Sequence, residues 1–174
     1  MSGPVFLLRH PAVAVAPGTC YGHSDVALAE EVAPIAARLR PALPADVLIV
    51  SSPLSRCLLL AQALGPVETD PRLMEINFGD WELQAYEHIE RSLIDTWAAN
   101  PLHFRPPKGE TAAEMTTRAQ AAAQHWHQRA GGRALLIVSH GGPLRAILGH
   151  FRQKAPEEWL AQHFAYAELH EIAA

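Results

Sequence analysis

The chain has 174 residues, a formal net charge of −4, and 49% hydrophobic residues. That size suits one domain burying roughly 70% of the surface its unfolded chain exposes, without disulfide or metal staples. The acidic balance argues against a nucleic-acid binder, although a local cluster of arginines can still hold a small anion.

Three short apolar runs read as buried strands: 4–8 (PVFLL), 46–50 (DVLIV) and 134–138 (ALLIV). None alternates strictly, which suits central strands covered on both faces. Helical stretches lie between them. Residues 27–40 form one, where Pro34 is tolerated only in the first turn. Residues 55–64 form another, closed by Gly65 and Pro66. The clearest helix covers 111–130, with Thr111 and Glu114 in capping-box spacing and Gly131-Gly132 as its stop. Residues 81–108 carry Trp81, Tyr86, Trp97 and Phe104 before an RPPKG break. They read as one or two helices inserted over the functional edge of the sheet. The tail 164–172 alternates loosely as a last strand. Strands alternating with helices predict an α/β fold, a three-layer sandwich with a mostly parallel central sheet and helices on both faces.

The residues after the strands carry the chemistry. Arg9 and His10 follow the first, Ser51, Ser52 and then Arg56 the second, and Ser139, His140 and Gly141-Gly142 the third. Open parallel sheets bind ligands at the carboxyl ends of their strands, so these groups are expected to share one crevice. Two arginines and two histidines there suit a small multivalent anion, because guanidinium forks match phosphate oxygens. Backbone N–H groups at Gly141, where a helix starts with Pro143 in its first turn, would add to phosphate binding.

The segments LLRHP, SSPLSRC, LMEINFGDWE and IVSHGGPLRAIL resemble the ordered motifs of the histidine phosphatase superfamily, the phosphoglycerate-mutase-like fold. The stretch VAPGTCYGHSDVAL is similar to its α-ribazole phosphatase-like branch. The resemblance implies a single histidine phosphatase domain over 1–174. It also implies a cofactor-independent phosphomonoester phosphatase with a phosphohistidine intermediate, and α-ribazole 5′-phosphate as the specific substrate candidate. His10 would be the nucleophile, Arg9 and Arg56 would clamp the phosphoryl oxygens, and His140 would bond the same group. Glu75 would protonate the leaving oxygen and then activate water. Neighbouring arginines would keep His10 neutral, and the need for a protonated Glu75 predicts an optimum below neutrality. No metal or other cofactor is needed, since the arginines offset the phosphoryl charge.

Other activities within this resemblance are a mutase, which generally has a longer chain, and a phosphohistidine-protein phosphatase. A non-catalytic phosphate-binding module is the reading from outside catalysis, motivated by Pro11. The family usually has Gly at position 11; the proline keeps a carbonyl to orient His10 but has no N–H to donate. Val13, Ala14 and Val15 stand where Thr and Asn are usual, so one or two phosphate hydrogen bonds are either lost or supplied by Thr19, Tyr21, His23 or Ser24. Leu83 stands where a Gly is common.

Glu82 reads as structural, and Glu110 as a helix-start carboxylate. His125 and His127 point to different faces of their helix and are no metal pair. Cys57 reads as packed beside Leu58 and Leu60. Trp81, Trp97 and Phe104 read as core, with stacking on a flat leaving group as their sharper role. Cys20 and Cys57 form no CxxC pair, the start lacks a signal-peptide pattern, and no run is long enough to span a membrane. A cytoplasmic monomer or homodimer is expected, acting on a small phosphorylated substrate without nucleic acid or membrane.

Overall fold

The computed structural model describes residues 3–172. Five strands form one sheet among them: β1 (Val5–Arg9), β2 (Leu48–Ser51), β3 (Val67–Thr69), β4 (Leu135–Ser139) and β5 (Leu169–Ile172). Their spatial order is β3-β2-β4-β1-β5. All pairings are parallel except β1 with β5. The sheet is mostly parallel, as expected, with an antiparallel strand from the tail at one edge. Only 169–172 of that tail is strand; residues 164–168 turn back toward the end of β1. The short β3 carries no sequence signal, being three residues long with two of them exposed.

Alternating side chains divide the core between the two faces. Val5 and Leu7 of β1, with Leu135 and Ile137 of β4, pack against α4 (Ala112–Ala130) and α5 (Gly141–Phe151). Phe6 and Leu8, with Leu136 and Val138, pack against α1 (Val32–Leu39) and α2 (Ser55–Leu64). Burial on both faces explains why these strands read as continuous apolar runs.

The helix starts follow local chemistry. In α1 the proline constraint holds: Pro34 is the third helical residue, so its missing N–H falls among donors with no intrahelical acceptor. The helix therefore starts at Val32, later than the apolar pattern suggests. For α4, Thr111 Oγ1 accepts the Glu114 N–H at 3.1 Å, and the Glu114 carboxylate accepts the Thr111 N–H at 2.8 Å. Gly131 ends α4 with a left-handed φ of 59°.

Between β3 and α4 lies α3 (Arg91–Ala99), preceded by three tight turns at Pro71–Leu73, Gly79–Trp81 and Tyr86–His88. A second short helix, α6 (Pro156–Trp159), follows α5, and Trp159 packs against Gly149 where no larger residue fits.

Leu83, 60% exposed, holds a left-handed φ of 63° in the turn where its N–H bonds the Cys20 carbonyl at 2.7 Å. An L-residue there costs about 1–2 kcal/mol, part of which glycine would give back as unfolded-state entropy. Leu83→Gly is accordingly expected to stabilise the fold by about 0.5–1 kcal/mol. The measurement is the urea midpoint at unchanged slope.

Candidate active site

Strands β2, β4 and β1 are adjacent, so their carboxyl ends meet. The register places Arg9 beside Ser139 and Ser51 beside Val138. One step further on, the His10 N–H bonds Ser139 O at 3.1 Å and the Ser52 N–H bonds Val138 O at 2.9 Å. Two buried imidazoles, His10 and His140, thus leave the sheet side by side with ring centroids 5.2 Å apart.

His10 has its Nδ1 2.7 Å from the Pro11 carbonyl. A carbonyl only accepts, so Nδ1 carries the proton and Nε2 keeps its lone pair. The proline retains the group that orients the ring. The His10 pKa is pushed down to about 3, first by burial; the Pro11 carbonyl opposes this, while the charges of Arg56 and Arg9 reinforce it. The imidazole is neutral at physiological pH, with burial contributing more than the arginines that sequence reasoning invoked.

Arg56 lies in the first turn of α2 and is fully buried. It donates to Gly22 O at 2.6 Å, Ser24 O at 2.7 Å and His140 Nδ1 at 3.2 Å. Because arginine only donates, His140 Nδ1 is unprotonated and its proton sits on Nε2, 2.9 Å from Ser52 Oγ. Burial, then the Arg56 charge, holds the His140 pKa well below the usual imidazole value. Cys57 Sγ lies 3.5 Å from His140 Nε2, so this cysteine packs against the imidazole and not merely beside its leucine neighbours. Burial pushes its thiol pKa far up.

Arg9 donates to Phe164 O at 2.6 Å, and its guanidinium carbon is 4.2 Å from the ring centre of Tyr166. Its Nε is buried without a partner. The Tyr166 hydroxyl is 3.2 Å from that of Tyr21. Glu75 accepts from the Ile76 N–H at 2.9 Å and the Gly142 N–H at 3.2 Å. A Cβ at Gly142 would overlap this carboxylate, so the close approach requires glycine.

Arg9, His10, Arg56 and Glu75 line one cavity of about 360 Å³, together with Tyr21, Tyr86, Trp97 and Arg145. His140 and Gly141 lie immediately behind the wall. Gly141 abuts the Arg9 guanidinium, and Gly142 is the glycine that faces the cavity. Of the four residues offered as substitute phosphate contacts, Tyr21 is on the wall. Ser24 and His23 are held by backbone bonds to Glu82, and Thr19 pairs with Ala85.

Two supporting groups hold the site from behind: Glu82, structural as its sequence position suggests, and Arg118, which no motif spacing singles out. Glu82 accepts the backbone N–H groups of Gly22, His23, Ser24 and Phe78, all at 2.9–3.0 Å. Burial raises its pKa, but these hydrogen bonds outweigh burial and the net shift is downward. Arg118 donates to the carbonyls of Arg72, Met74 and Glu75, and pairs with Glu110. Glu110 is therefore an anchor for Arg118 and not a helix-start carboxylate; it also accepts the Asn77 N–H at 3.0 Å.

Residues 5–174 match the histidine phosphatase superfamily (branch 1). The chain belongs to that superfamily. It is 32% identical over 157 residues to a probable phosphoglycerate mutase of Yersinia enterocolitica, covering 83% of this chain and 72% of that one. A glucosyl-3-phosphoglycerate phosphatase of Mycolicibacterium vanbaalenii is 27% identical over 127 residues, covering 65% of this chain. The match spans 56% of that relative's length. The α-ribazole phosphatase of Shigella flexneri shares the fold at a TM-score of 0.86 and 22% identity, over 98% of this chain and 90% of that one.

Neutral buried histidines make this histidine phosphatase acid-sensitive. The unfolded chain takes up protons below about pH 6.5 while folded His10 and His140 do not. Stability is therefore present above that pH and lost as pH falls, approaching roughly 1.4 kcal/mol per histidine per pH unit. Glu82, also with a lowered folded pKa, adds a further loss below about pH 4.3. Urea titrations between pH 7.5 and 5 are expected to show the histidine slope, and His10→Asn to remove its share.

Proposed function

We propose that this histidine phosphatase is a cofactor-independent phosphomonoesterase that forms a phosphohistidine on His10. The observation that carries the reading is the state of His10: neutral, with Nδ1 committed to Pro11 O and Nε2 free beside Arg9 and Arg56. In the first step Nε2 attacks phosphorus in line, an N–P bond forms, and the ester P–O bond breaks. Glu75 gives its proton to the departing oxygen. In the second step Glu75 takes a proton from water, whose oxygen bonds phosphorus as the N–P bond breaks. Phosphate leaves and the imidazole is regenerated neutral.

Positive charge for both steps comes from the arginines. Of the five N–H groups of Arg56, three serve protein acceptors, leaving two for phosphoryl oxygens. Arg9 gives one to Phe164 O. His140 stabilises the transferring group from behind Arg56, and its Nε2–H reaches a phosphoryl oxygen by sharing or leaving Ser52. Arg56, fixed by its three protein acceptors, needs no reorganisation during reaction. Arg118 acts through Glu75, whose backbone carbonyl it holds at 2.8 Å.

The substrate is a small phosphorylated metabolite. α-Ribazole 5′-phosphate is one candidate, supported by the likeness of VAPGTCYGHSDVAL and by the shared fold. The curated relative adds glucosyl-3-phosphoglycerate. We read residues 81–108 as the cover over a single catalytic domain, with Trp97 of α3 on the cavity wall. A cytoplasmic site of action is supported by two free, buried cysteines. No described helix is long and apolar enough to cross a membrane.

Hydrolysis of para-nitrophenyl phosphate is expected to persist in EDTA, peak below pH 7, and fall to background in His10→Ala. A phosphoenzyme trapped by rapid quench should be absent from that variant. Binding of phosphate without turnover would instead make the chain a phosphate-binding module. Arg118→Met is expected to lower kcat by about ten-fold or more with a smaller change in KM, since small displacements of a catalytic group are costly. A loss confined to kcat in this way is not what loss of fold alone would give.

A further inference from the structure

The cavity holds more positive charge than phosphoryl transfer requires. Arg9, Arg56 and Arg145 line it, against Glu75 as the single carboxylate on its wall. Arg9 and Arg56 flank His10 and match a phosphoryl dianion. Arg145 is left over. Its Nε is buried without a hydrogen-bond partner, and it pairs with no carboxylate among the described residues. A half-buried guanidinium that lines a cavity without a protein acceptor points to an anionic ligand.

Its place on α5 separates it from the reacting centre. Gly141 abuts Arg9, and Arg145 lies four residues on, about 6 Å further along the helix axis. The same cavity is also lined by apolar or aromatic residues, among them Trp97, Pro101, Trp159 and Leu160. Gly149, one turn beyond, brings Trp159 against the same helix. A substrate seated with phosphorus at His10 would therefore share its cavity with the Arg145 guanidinium, which is left for the leaving group.

We infer that Arg145 is a second anion subsite and that the substrate is a phosphomonoester whose leaving group bears a carboxylate. One guanidinium supplies one positive charge and a planar fork, matching a carboxylate monoanion; the phosphoryl dianion has two arginines of its own. This rests on the phosphatase reading above and narrows its substrates. Of the two candidates named there, glucosyl-3-phosphoglycerate carries such a carboxylate and α-ribazole 5′-phosphate does not.

The test uses 4-carboxyphenyl phosphate and its neutral isostere 4-carbamoylphenyl phosphate with the parent, Arg145→Gln and Arg145→Lys. The parent is expected to favour the carboxylate in kcat/KM. Arg145→Gln should lower that selectivity ratio by about ten-fold or more, chiefly through KM, and Arg145→Lys should restore part of it. A parent without preference, or a ratio unmoved in Arg145→Gln, overturns the subsite. If neither ester is hydrolysed, the phosphatase reading fails separately. Calorimetric titration of the same esters then decides the subsite: a carboxylate preference lost in Arg145→Gln upholds it, and equal affinities overturn it.

Discussion

Arg56 is a fully buried guanidinium whose charge is met by two backbone carbonyls and an imidazole lone pair. Burying a cation costs several kcal/mol unless its donors are satisfied, so the loop supplying Gly22 O and Ser24 O must be held in place. Glu82 holds it, accepting the N–H groups of residues 22, 23 and 24 from the other side. The result is a sandwich of charges: carboxylate, peptide dipoles, guanidinium, imidazole. The same cation fixes the tautomer of His140 and helps keep His10 unprotonated. One side chain therefore ties α2, the 22–24 loop and the ends of β4 and β1 into a common site.

A parallel arrangement holds the opposite wall. The Glu75 segment has little regular structure, so its carbonyls depend on side chains for hydrogen bonds. Arg118, reaching from α4, caps three of them and is itself oriented by Glu110. Ser139 Oγ adds a bond to Leu73 O at 2.7 Å, linking the end of β4 to the same segment. Arg9, His10 and Arg56 stand at strand ends and a helix start, Glu75 on an irregular segment, and a layer of charged residues behind them fixes their orientation.

Much of this was legible in the chain. The three central strands stand out because burial on both faces demands unbroken apolar runs, and α4 because its cap and stop residues are local signals. Arg9, His10 and Arg56 could be named because they follow those strands, and Glu75 because LMEINFGDWE resembles a family motif. Arg118, Glu82 and Arg145 could not be assigned in this way. The partners of Arg118 and Glu82 lie at sequence distances that no periodicity records, 43 residues from Arg118 to Glu75 and 60 from Glu82 to Gly22, and Arg145 has no protein partner among the described residues for a spacing to reveal. The role of Glu110 was misread for the same reason: its proximity to the Thr111 cap suggested a local task, while its partner is Arg118, on the far side of the first turn of α4.

By itself the sequence determined the layered α/β class, the main strands and helices, and the kinds of group delivered to the strand ends. These follow from short-range rules: side-chain periodicity, capping, and the limits that proline and glycine place on φ. Tertiary structure alone decided which groups share the cavity, which imidazole nitrogens carry protons, and that burial leads the arginines in keeping His10 neutral. It also decided that Arg145 faces the cavity without a partner. Those properties depend on solvent exclusion and on contacts between distant segments, and both arise only when the sheet and its covering layers close.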